Sequence, residues 1–183
     1  MYFAKPLVIG PFIAAAGFVL FAVPSVGVSY WKSFFPAFVI LGLGMAISVA
    51  PLTTVVMSSA GQNRSGIASG INNAVARVAS VLAIAILGIV MVRMFRSGLD
   101  RSFSGRMLPP NIIQYLQSNA IKLVGVDLPS GVDANAAVAI RTSISHAFVF
   151  GFRIEMFICA GLSLASSVVA CLLVPARAVS DQA

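Results

Sequence analysis

The sequence predicts an all-α fold: a polytopic membrane helix bundle with about four transmembrane helices. Three observations carry this. The chain has 183 residues, 59% of them hydrophobic and 9% charged, against about 25% charged in a soluble domain. Its mean hydropathy is +0.99, so there is too little polar surface to coat a water-facing globule. Long stretches also carry no charge at all: 26 residues between Lys5 and Lys32, and 31 between Lys32 and Arg64. Each is long enough for the roughly 20 residues that a helix needs to cross a bilayer.

The first span is expected at residues 6–23, with Pro24 and the Ser/Gly-rich PSVGVS as its exit. Residues 34–58 form the second. Tyr30, Trp31, Phe34 and Phe35 cluster between the two, where an aromatic belt would lie at headgroup level. The polar AGQNRSG that follows makes a short turn, so the second and third spans become antiparallel neighbours. The third covers residues 66–92, and the last covers 147–175, ended by Pro175 and Arg177 ahead of a tail at 176–183. The first apolar run is too long for a cleaved signal and lacks a clear cleavage site, so it reads as a retained span.

Residues 93–146 form a long polar loop with Arg93, Arg96, Arg101 and Arg106 and a Pro-Pro pair at 109–110. Within it, residues 111–123 place Ile112, Tyr115, Leu116 and Leu123 at helical spacing, and 134–145 form a second short amphipathic pattern. Both hold too few apolar residues to span and are expected to lie on the membrane surface or cap the bundle.

The net charge of +7 does not point to nucleic acid, because the basic residues flank apolar runs, as suits lipid headgroups. Counting Lys and Arg, Lys5, Arg64 and Arg177 lie on one side and Lys32 with the arginine-rich loop on the other, which places the loop in the cytoplasm.

The spans are rich in small residues. Gly42, Ala46 and Ala50 recur at four-residue spacing, as do Gly44 and Ser48, and the third span opens with the Gly66/Gly70 pair. Lipid gives helices no hydrophobic reason to associate, so close packing through small residues supplies the contact. Pro51 interrupts the second span and removes a backbone hydrogen bond. The carbonyl it frees must be buried in protein or face water. It is read as either a structural kink or a gate, with Thr53 and Thr54 helping to satisfy the local backbone.

Arg77 lies 11 positions after Gly66, about 16 Å into its span at 1.5 Å per residue and so near the bilayer centre. An arginine there costs about 3 kcal/mol and faces a bundle interior or a water-filled path. Asn73, Arg77 and Ser80 share one helix face, which Ser69 continues. The reading is either an interhelical anchor or a residue of a translocation path. Glu155 is the one carboxylate near an apolar run. Its depth is within about a turn of that of Arg77, which allows a pair; the alternative is an interfacial Glu155 that is hydrated or paired locally.

No enzyme chemistry is expected. There is one histidine, His146, and no metal-ligand cluster, nucleophilic triad or GxxxxGK[ST] loop, so no metal, cofactor or ATP-driven step is expected. Cys159 and Cys171 stand 12 residues apart in one apolar run, about 18 Å on a helix and too far to bridge.

The glycine-rich helix with Gly42, Gly44 and Pro51, the short polar turn, and GIASGINNAVAR at 66–77 together resemble the C-terminal part of the fourteen-helix drug:proton antiporters of the major facilitator superfamily. The closing GFRIEMFICAGLSLASSVVACLLVPAR is similar to that family's last span. The resemblance implies a proton-coupled exporter of drugs or small amphiphiles, in a plasma membrane of the bacterial inner-membrane type. It also implies a C-terminal fragment that is incomplete alone and partnered by lipid, the missing helices or another membrane protein. The translocation or gating residues would be Ser69, Asn72, Asn73, Arg77, Ser80, Pro51 and Glu155. The family pattern puts the long loop outside the cytoplasm, against the charge count. The competing expectation is a non-transporting membrane scaffold or the inert remnant of a truncated transporter gene.

Overall fold

A chain with so few charges can bury its backbone polar groups in lipid only by closing them within helices, and helices are what form. The computed structural model describes residues 4–59, 64–103, 110–126 and 133–173. Five α-helices run in order: α1 (Ala4–Ala22), α2 (Tyr30–Ser59), α3 (Ser65–Phe103), α4 (Pro110–Ser118) and α5 (Ala134–Leu173), with a short 3-10 segment at Ala120–Gly125. Four of them, α1, α2, α3 and α5, are long and apolar enough to cross a membrane. Residues 60–63 of the expected turn, Arg106, Pro109, Pro175, Arg177 and the tail lie outside the described residues.

Two helices reach beyond the expected spans. The third span was expected to end near Val92, but α3 continues to Phe103; the last was expected to begin near Ala147, but α5 begins at Ala134. At 39 and 40 residues they are about 58 and 60 Å long, roughly twice the hydrocarbon thickness. The expected amphipathic segment at 134–145 is thus the first part of α5. No glycine or proline separates it from Ala147, so nothing stops the helix between them.

The chain forms two compact units. The first comprises Met1–Pro24, Val28–Ala83 and Met156–Ala183. Its tightest packing joins α1 to α2, which are antiparallel. A Cβ on Gly44 would collide with the backbone nitrogen of Ala14 and lie 2.8 Å from its Cα and from the Gly10 carbonyl oxygen. One on Gly17 would lie 2.8 Å from the Leu41 Cα, and one on Gly10 would strike the Ser48 hydroxyl. These are glycines because only a bare backbone fits there. Near the ends of the same helices, Phe21 meets Phe38 edge-on at 4.7 Å and Tyr30 stacks on Phe34 at 6.2 Å.

The second unit comprises Ser25–Gly27 and Ile84–Glu155. It has a core of its own, from Phe95, Leu99 and Phe103 of α3, Leu116 of α4, Ala120, and Ile140, Ile144 and Ala147 of α5. Within it α3 and α5 run antiparallel: Gly98 abuts Ala147, and Gly151 abuts Met91. Gln117 Nε2 donates to Asp100 Oδ1 at 2.8 Å, fastening α4 to α3. The Arg101 guanidinium lies 5.1 Å from the centre of the Phe150 ring. Arg153 Nη2 donates to Ser25 Oγ at 3.0 Å, holding the α1–α2 connection, in which Gly27 takes φ +82°.

Candidate functional site

The polar residues singled out on the third span all lie on the part of α3 that belongs to the first unit. That stretch is unusual among the helices: from Ser65 to Ala83 no described side chain is buried. Ser69 and Asn72 are half-buried, while Asn73, Arg77 and Ser80 are exposed. Apolar neighbours on every side are exposed too, including Ile71, Val75, Val78 and Val81. Ser80 turns back to its own helix and donates to the Ala76 carbonyl at 2.8 Å. Among the described residues, Ser69, Asn72, Asn73 and Arg77 make no side-chain hydrogen bond or ion pair. The stripe is therefore presented outward on a helix of membrane-spanning character.

Pro51 lies within an unbroken α2. Having no N–H, it cannot serve the carbonyl of Ile47. Thr53 Oγ1 donates to the Ala50 carbonyl at 2.9 Å and Thr54 Oγ1 to the same oxygen at 3.0 Å. The two hydroxyls thus serve the carbonyl just before the proline rather than the one it frees, a back-bonding that bends helices.

The glycines divide sharply. Gly44 forms the close α1–α2 approach, whereas a Cβ on Gly42, Gly66 or Gly70 would meet nothing within 4 Å. Gly10 and Gly17, which sequence reasoning passed over, complete the contact with Gly44. With Ala14 they stand at four- and three-residue steps along α1, the same small-residue signal in the first span.

A second polar seam was also missed. Ser163 Oγ donates to the Pro11 carbonyl and Ser167 Oγ to the Val8 carbonyl, both at 2.7 Å. Ser163 and Ser167 stand one turn apart on α5, so a single face docks on α1. Beside it lies an apolar cavity of about 340 Å³ lined by Leu7, Pro11, Ser48, Leu52 and Val169 among others. The spacing of the two serines was readable; their acceptors, carbonyls beside a helix proline, were not.

Glu155 is half-buried on α5 in the second unit and lines a groove there with Arg93 and Arg96. Arg77 belongs to the first unit and Glu155 to the second; a double-mutant cycle would distinguish a pair from an interfacial Glu155. His146 lies about three turns inside α5. Cys159 and Cys171 are not disulfide-bonded.

Among the described residues these features make up a set of membrane-spanning helices with an outward polar face on α3, internal prolines in α1 and α2, and a serine-sealed α5–α1 interface. Comparison with known proteins finds no matching family model, no matching curated protein and no matching solved structure.

Proposed function

We propose that the chain supplies four helices of a proton-coupled exporter of drugs or small amphiphiles, of the major facilitator type, and works with further helices. The observation that carries this reading is Arg77. It is exposed on an apolar helix, and about 12 residues of 1.5 Å separate it from Ser65, some 18 Å. Facing hydrocarbon there costs about 3 kcal/mol by insertion scales and more by other measures. A covering surface or a water-filled path removes that cost. Asn73 on the same face adds a donor and an acceptor, as a polar path would require. The GIASGINNAVAR motif that carries these residues supports the family reading. So does helix number: the superfamily's two halves enclose a site at their interface, and four helices cannot form both.

The alternative is a non-transporting scaffold or inert remnant, whose exposed α3 face binds a partner without moving anything. It is favoured by the scarcity of carboxylates: none lies on α1, on α2 or on α3 before Asp100, whereas proton coupling needs a titrating group. Under the exporter reading that group comes from the further helices.

The test begins with a blot of native membranes for the 176–183 tail. A band near 19.0 kDa directs the search to a co-purifying partner with about eight to ten spans; a band more than twice as heavy directs it to one long polypeptide. The resulting assembly is then assayed for proton-driven efflux of a fluorescent lipophilic cation. Arg77→Ala is expected to lower efflux while the amount of protein in the membrane is unchanged. Normal efflux at a normal protein level defeats the assignment of Arg77, and an assembly that transports nothing favours the scaffold.

A further inference from the structure

The second unit contains a groove whose paired arginines the transport reading does not use. Along α3, Ala85, Gly88, Ile89 and Val92 form one face that ends in Arg93 and Arg96. That face is one side of a groove of about 690 Å³, within the range of about 300–1,000 Å³ typical of small-ligand sites. The opposite side is Ile121 and Leu123 of the 3-10 segment, with Glu155 contributed by α5.

Four observations define what would fill it. First, its floor is hollow: a Cβ on Gly88 would meet nothing within 4 Å. Second, its apolar walls are open, with Ile89 57% and Ile121 77% exposed, so an occupant with apolar surface gains by covering them. Third, the charge lies at one end. Arg93 and Arg96, three residues apart, stand on the same face. Ala85 to Arg96 spans about 16 Å of helix, so the apolar stretch leads into a paired-arginine mouth. Fourth, the depth suits lipid. Ser65 to Arg93 covers about 42 Å of helix, which matches a bilayer with its headgroups, so Arg93 falls at headgroup level.

Glu155 stands away from the arginine mouth. Gly151 abuts Met91, and Glu155 is one turn further along α5, which runs antiparallel to α3, toward the Gly88 end. With two arginines and one carboxylate the groove carries a net positive charge of one, matched to one phosphodiester. Leu123 is held at φ +52°, a conformation that a bulky side chain rarely takes. It packs against the buried core, and Ile121 and Val124 on either side of Lys122 remain exposed, the apolar-basic pattern of a segment seated in a lipid interface.

We infer that this groove is a binding site for one anionic phospholipid of the surrounding leaflet, with an acyl chain along Ala85, Gly88 and Val92 and the phosphate held by Arg93 and Arg96. Arginine suits the role because its planar fork meets phosphate oxygens two at a time. The site does not depend on whether the chain transports anything.

The test is native mass spectrometry of the full chain in mild detergent, titrated separately with dioleoylphosphatidylglycerol, dioleoylphosphatidylethanolamine, dioleoylphosphatidylcholine and glycerol phosphate. One phosphatidylglycerol is expected to be retained in preference to either zwitterionic lipid, with glycerol phosphate failing to displace it. Arg93→Gln/Arg96→Gln should weaken retention by about thirtyfold, from two interfacial arginines. Gly88→Phe keeps both arginines but fills the floor, and should abolish retention at unchanged helical content by circular dichroism. Glu155→Gln should leave retention equal or stronger. If the double glutamine variant does not fold, Arg93→Lys/Arg96→Lys keeps the charge and should still weaken retention severalfold. Equal retention of all three lipids, displacement by glycerol phosphate, normal retention in Gly88→Phe, or loss of retention in Glu155→Gln would each overturn the inference.

Discussion

Gly42 and Gly44 stand two residues apart on α2 and look alike in the sequence, yet the structure gives them opposite surroundings. A Cβ on Gly44 runs into the Ala14 backbone, which cannot yield as a flexible side chain would, whereas one on Gly42 enters open space. Gly44→Ala should therefore separate α1 from α2 at a cost of about 1–3 kcal/mol, the usual range for overpacking. Gly42→Ala should be neutral or slightly stabilising, since alanine is the better helix former. Titrating helical content with sodium dodecyl sulfate in mixed micelles reads both, and equal effects would mean that the α1–α2 approach is not close. The serine bonds test the same scale more gently. Ser163→Ala and Ser167→Ala each remove a hydroxyl from an α1 carbonyl, and each should cost about 0.6 kcal/mol, the average for interhelical hydrogen bonds in membranes. The cost is small because the carbonyls of Val8 and Pro11 lie within α1 and retain helical donors.

At the level of whole helices, the question is what keeps α3 and α5 helical beyond the length that a bilayer requires. The answer is the core around Phe95, Leu99, Leu116 and Ile140, all fully buried. Phe95→Ala should leave a cavity costing about 3–5 kcal/mol, comparable to what so small a core can supply. Trypsin should then cut faster at Arg101, Lys122 and Arg141 in proteoliposomes, while the apolar stretches of α1 and α2 stay protected. Unchanged cleavage would show that the extension stands without its core. The existence of four long apolar helices was legible in the sequence, because runs of 26 and 31 uncharged residues leave the backbone few alternatives in lipid. The extensions were not. Phe95, Leu99 and Phe103 recur every fourth residue, a helical stripe, but they are interleaved with Arg93, Arg96 and Arg101, and the density of arginine reads as loop. Those arginines lie at the margins of the buried stripe: Arg93 and Arg96 line the groove with Ile121 and Leu123, and Arg101 stands over the Phe150 ring. On α3, likewise, the polar stripe was visible from spacing, while its outward presentation depends on which neighbours are present and has no local signature.

For the molecule as a whole, the unequal spread of charge is the dominant physical fact. Lys5, Arg64 and Arg177 precede or follow spans on one side; Lys32, Arg93, Arg96, Arg101, Arg106, Lys122 and Arg141 lie on the other. The positive-inside preference counts basic residues close to the ends of spans, so an excess this large should govern any insertion in which no earlier helix has set the orientation. The family resemblance requires the reverse orientation, and a preceding set of helices could impose it. The two expectations separate experimentally. Expressed by itself in a bacterial inner membrane, the chain should keep residues 93–133 in the cytoplasm. Gln114 is exposed. Gln114→Cys, in a background carrying Cys159→Ser and Cys171→Ser, should resist a membrane-impermeant maleimide in intact cells and react in inverted vesicles. Ala183→Cys should show the opposite pattern. Supplied together with the partner helices that the exporter reading requires, the same two positions should exchange their reactivity. If position 114 reacts from outside even when the chain is alone, the order of the apolar segments overrides the arginines, and the orientation is intrinsic to these four helices. If it stays inside in both settings, the assembly does not have the orientation of the drug:proton antiporters, and the scaffold reading gains.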